Sequence, residues 1–114
     1  MKLSDLCELV SGTVICGEER LNEEVEFAFA SDLMSDVLTI KITHFILITG
    51  LANVQSIRTA EMSDISYILM ARNKEVTEEM KELAEENDLL IIKSPYSMFK
   101  CSGLLYNAGI KPVY

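Results

Sequence analysis

The residues best suited to chemistry in this sequence are small hydroxyl and amide side chains placed where apolar runs give way to turns. The turns concerned are Ser31-Asp32, Thr49-Gly50-Leu51-Ala52-Asn53, Ala71-Arg72-Asn73 and Lys93-Ser94-Pro95-Tyr96-Ser97. Asn53 and Ser94 each stand at the expected start of a helix, where unpaired backbone N–H groups and the positive end of the helix dipole favour an anionic group. The same residues also serve as plain helix caps that need no ligand. Arg58, inside the helix that Asn53 opens, offers a guanidinium fork that fits phosphate or carboxylate, or an ion pair with Glu61. Ser31, Asp32, Thr49, Gly50, Asn53, Arg58, Ser94 and Ser97 are therefore the candidate ligand-binding residues.

Other chemistries find less support. His44 is the single histidine, so no site needing two imidazoles can form, and no nucleophile elbow accompanies it for a Ser-His-Asp arrangement. It reads as a strand-edge residue. Cys7, Cys16, Cys101 and His44 reach the ligand count of a zinc site but lack its paired close spacings. Thr49-Gly50 matches neither the dinucleotide-binding nor the triphosphate-binding glycine loop. No catalytic residue, metal site or cofactor is expected, and binding is the function class left standing.

Hydrophobic periodicity supplies the elements that must hold these turns. Leu3, Leu6, Cys7 and Val10 recur at helical spacing, with Ser4 as the expected cap and Gly12 as the stop. Thr13 to Cys16 and Val25 to Phe29 read as strands, and Leu33, Met34, Val37 and Leu38 as a short helix capped by Ser31 or Asp32. Phe45 to Thr49 is apolar on both faces, as in a central parallel strand covered by helices on each side. A helix over 53–63, a strand over 67–71, a helix over 77–87 capped by Thr77, and a strand over 89–92 follow. Ser94-Pro95 has the form of an N-cap with proline at the first helical position, opening a last helix that ends near Gly109. The tail after Lys111 is expected to be loose. Two successive βαβ units result, which predicts an α/β domain with a largely parallel sheet between helices. In such a sheet ligands bind beyond the carboxyl ends of the strands, where the polar turns should converge.

With 114 residues the chain is one domain's worth. A formal charge of −8 and no cluster of lysine and arginine argue against nucleic acid. Apolar residues, 49% of the chain, are interspersed with charges, so no bilayer-crossing run is expected. The N-terminus lacks the features of a secretory signal, and an odd, scattered set of three cysteines does not form a disulfide framework. A cytoplasmic setting is expected.

Ala30-Ser31-Asp32-Leu33-Met34-Ser35-Asp36-Val37-Leu38, Leu47-Ile48-Thr49-Gly50, Ile57-Arg58-Thr59-Ala60-Glu61 and Ser94-Pro95-Tyr96-Ser97-Met98-Phe99, in that order and spacing, resemble the DRTGG-domain family over nearly the whole chain. The Asp-Arg-Thr-Gly-Gly string that names the family is missing, and Leu51-Ala52-Asn53-Val54-Gln55 follows Thr49-Gly50 instead. The resemblance implies a three-layer fold like the N-terminal domain of HPr kinase. It also implies a single noncatalytic accessory domain of the kind found alone or in larger proteins with CBS domains. A regulatory domain that binds a nucleotide or other small anionic metabolite, acting as a homodimer, is the leading expectation. A module that binds a partner protein or its own copy, with no small ligand, is the alternative.

Overall fold

The computed structural model describes residues 1–114. In chain order its elements are α1 (Leu3–Leu9), β1 (Thr13–Cys16), β2 (Phe27–Ala30), α2 (Met34–Val37), β3 (Phe45–Thr49), α3 (Val54–Met62), β4 (Tyr67–Met70), α4 (Glu78–Glu86), β5 (Leu90–Lys93), α5 (Met98–Asn107) and β6 (Lys111–Pro112), with one 3-10 turn at Glu18–Arg20. The strands form a single sheet in the order β1-β5-β4-β3-β2-β6. β2, β3, β4, β5 and β6 run parallel, and β1 closes one edge antiparallel to β5. The expected α/β architecture with a largely parallel sheet is therefore what the chain adopts.

The layers follow from connectivity. From β2 to β5 each strand steps to its neighbour in the same direction, and crossovers of one hand then place their helices on one face. Met34 and Val37 of α2, Ile57 and Ala60 of α3, and Met80 and Ala84 of α4 pack there on Leu47, Ile68, Met70 and Ile91. From β5 the chain returns across the sheet to β6, which puts α5 on the other face. Cys101 and Leu105 of α5 join Leu3, Leu6 and Val10 of α1 over Ile46, Ile48, Leu69 and Ile92. Every residue of β3 and β4 is buried, as their unbroken apolar runs require.

Several local expectations are corrected. α1 starts at Leu3 after Lys2, so Ser4 lies inside it, and Ser11 rather than Gly12 takes the left-handed turn that ends it. Gly12 answers to packing instead: a Cβ there would fall 2.5 Å from Ile92 Cγ2. Neither Ser31 nor Asp32 caps α2, whose N-cap is Leu33. Ser94 and Pro95 precede α5 by several residues; the cap is Ser97, which accepts from Lys100 N at 3.1 Å. The tail is held, because Lys111 N donates to Glu26 O and Val113 N to Ala28 O. Met62, the last residue of α3, is 71% exposed. Asn53 and Thr77 do cap α3 and α4, accepting from Ser56 N and Met80 N. No helix is long and apolar enough to cross a membrane.

Candidate functional site

Parallel pairing of β2, β3, β4 and β5 brings the residues that follow them to one edge of the sheet. Ala30 pairs with Ile48, and two residues further along both strands Asp32 meets Gly50. Asp32 Oδ1 accepts from Gly50 N at 2.6 Å and from Thr49 Oγ1 at 3.0 Å. Thr49 Oγ1 in turn accepts from Leu51 N at 3.1 Å, so this buried hydroxyl is spent inside the turn. Pulling Asp32 toward Gly50 is the reason it does not cap α2. Ser31 closes its own small turn, accepting from Leu33 N at 3.0 Å.

Arg72, the first residue past the buried strand end at Ala71, completes the group. Its Nη2 donates to Gly50 O at 3.3 Å, and Nη1 lies 3.8 Å from Asp32 Oδ2, with both side chains more than two-fifths exposed. At that length and exposure the ion pair is weak, and most of the guanidinium's donors stay open to solvent. The backbone beneath it is fixed in an unusual state: Arg72 has φ 67° and Asn73 φ 55°. A left-handed conformation costs a non-glycine residue about 1–2 kcal/mol. The loop after β5 holds it there, since Arg72 N donates to Tyr96 O at 2.7 Å and Asn73 N to Ser94 O at 2.9 Å. These two bonds also stitch the β4 and β5 ends together. That is the point where successive helices leave for opposite faces and where open α/β sheets otherwise part into a crevice.

Of the residues picked from sequence, the structure thus gathers Asp32, Thr49 and Gly50, with Ser31 beside them. Ser94 is fully buried, its hydroxyl donating to Val10 O at 2.7 Å and accepting from Tyr96 N at 3.1 Å. Ser97 and Asn53 are engaged as caps. Arg58 is exposed on α3 and forms no ion pair, with Glu61 or with any other residue. Arg72 is the arginine that the structure brings to this edge: it follows directly on a buried apolar run, whereas Arg58 lies a full turn inside a helix.

Elsewhere, burial pushes the thiols of Cys7, Cys16 and Cys101 up from their ordinary value, and all three are free. No group of three or more His, Cys, Asp or Glu side chains is gathered in a metal-binding arrangement. At the opposite end of the strands, exposed His44 lies 2.9 Å from Glu24 O and packs edge-on to Tyr67.

Comparison with known proteins agrees with this architecture. A family model described as the DRTGG domain matches residues 5–108. No curated protein sequence matches the chain. Among solved structures, it is similar to the CBS and DRTGG domains of the regulatory region of Clostridium perfringens pyrophosphatase, solved in complex with the activator diadenosine tetraphosphate. The identity is 20% and the TM-score 0.76, over 98% of this chain and 48% of that one. The chain thus spans about half the length of that structure, and the likeness is one of fold.

Proposed function

The chain belongs to the DRTGG-domain family, and from that premise we propose that it is a noncatalytic regulatory domain that senses a small anionic metabolite or nucleotide at the Asp32–Gly50–Arg72 edge. The observation that carries this reading is Arg72 itself. A non-glycine residue is kept in a left-handed backbone, and what it presents is a half-exposed guanidinium over the ends of β3 and β4. Such strain collects at ligand clamps and switch regions, where the surrounding structure over-determines it. A phosphate or carboxylate would take up the open donors of the fork in charge-assisted bonds and replace the loose contact to Asp32. Asp32, tied to Gly50 and Thr49, positions the turn. Because the Arg72 turn is bonded to the β5 loop, a ligand at Arg72 would be felt at the start of α5.

A homodimer in a reducing compartment fits this role. Leu33, Leu38 and Met62, each more than half exposed on the α2 and α3 side, offer apolar surface for a second copy, and the free thiols suit the cytoplasm. The test is thermal unfolding of the whole chain with nucleotides, phosphorylated metabolites and inorganic phosphate. A ligand present at 100 times its dissociation constant adds about 2.7 kcal/mol. At least one compound should raise the melting temperature, and Arg72→Ala should remove that response while melting alone like the parent. A response that survives Arg72→Ala, or none with any anion, would overturn the reading.

A further inference from the structure

Between α5 and the β2/β6 edge lies a cavity of about 260 Å³ that the Arg72 turn does not use. We propose that it receives the base of a nucleoside phosphate whose phosphate reaches Arg72. This rests on the reading of Arg72 as the anion-binding residue and adds the class of ligand.

Four features of the cavity point to a flat ring with a polar edge. Its volume lies below the roughly 300–1,000 Å³ of sites that hold whole drug-sized ligands, so it suits a single ring system. Its walls include Phe29, Tyr106, Pro112 and Tyr114; Tyr106 is 68% exposed, leaving its face open for stacking, while the Tyr114 ring packs against Phe29 with centroids 5.9 Å apart. The hydroxyls of Ser102, Tyr106 and Tyr114 line it and make no hydrogen bond within the protein, so donors and acceptors remain for the edge of a base. Its lining carries one charged side chain, Lys111, which is paired with Glu26 at 3.3 Å, and no acidic one.

Position links the cavity to Arg72. Ala30 and Ile48, a paired couple at the ends of β2 and β3, form part of its wall. Asp32 and Gly50 stand two residues further along the same strands, about 7 Å by strand rise. A ring in the cavity thus has an attached anionic group within short reach of the guanidinium.

Calorimetric titration of the full chain with adenosine, guanosine, cytidine and uridine monophosphates, the matching nucleosides and inorganic phosphate tests this. The proteins are the parent, Ala30→Phe, which fills the cavity, Tyr106→Ala, which removes a stacking wall at an exposed position, and Arg72→Ala. At least one nucleotide should bind more tightly than phosphate. Ala30→Phe and Tyr106→Ala should each weaken it about tenfold and leave phosphate unchanged. Should Ala30→Phe fail to fold, Tyr106→Ala decides. Nucleotide binding unchanged in both but lost in Arg72→Ala would overturn the cavity and leave the Arg72 reading intact. Loss in the cavity variants with retention in Arg72→Ala would support the cavity and overturn the Arg72 reading. If phosphate binds and no nucleotide binds better, the cavity inference is overturned alone.

Discussion

Gly50 has no side chain because Arg72 lies where one would be. A Cβ on Gly50 would fall 2.5 Å from Arg72 Nε, at the far end of a flexible side chain and not against backbone. Gly50→Ala should therefore displace the guanidinium without opening the fold. The melting temperature should stay within a few degrees of the parent, while anion binding falls about tenfold, since hydrogen bonds to a charged group are worth about 1.5–3 kcal/mol. Equal affinity in Gly50→Ala and the parent, measured by titration, would show that Arg72 does not hold the ligand from this position. Gly50 was legible in the sequence as a turn residue. Its reason was not, because Arg72 lies 22 positions away and only strand pairing brings the two together.

Ser94 shows how an element can claim a residue that looks free in the sequence. It follows a strand and precedes a proline, which reads as a cap, yet its hydroxyl crosses to Val10 O and ties the end of α1 to the end of β5. Ser94→Ala would leave that carbonyl and Tyr96 N without their partner. The expected cost is about 1–3 kcal/mol of stability, seen as a lower midpoint in denaturant unfolding, with ligand binding at the strand edge unchanged. A loss of binding without loss of stability would return Ser94 to the site. The helix it was expected to cap starts where Ser97 can turn its hydroxyl to Lys100 N, a choice between two serines that local sequence does not decide.

At the scale of the whole molecule, Tyr67 couples the sheet to the N-terminal segment. Its hydroxyl donates to Glu23, which also pairs with Arg20 at 2.9 Å, and Arg20 Nε donates to Asp88 O at 2.6 Å. Burial first, then the bond to Glu23 and its charge, pushes the Tyr67 phenol up to about 12. An unfolded tyrosine ionises near 10. Between those values the unfolded chain releases a proton that the folded one retains, so stability is full below about pH 10 and falls as pH rises toward 12. The loss from this group is of order 2–3 kcal/mol. Chemical unfolding across that range, compared with Tyr67→Phe, should show a steeper alkaline decline in the parent; identical slopes would remove Tyr67 as the cause.

What the sequence determined by itself was the kind of fold and the edge at which its polar turns gather. Runs such as Phe45–Thr49 and Tyr67–Met70 are apolar on both faces, the pattern of a covered parallel strand, and that pattern led to the expectation that the polar turns behind them meet. Family membership was legible for a like reason, in the order of short segments along the chain. Tertiary structure alone decided which turn residues are available. Ser94 and Thr49 were consumed by bonds to partners distant in sequence, Arg58 was left on a helix surface, and Arg72 was brought over Gly50. Side-chain availability is set by what stands opposite once strands pair, and neither periodicity nor residue type carries that information.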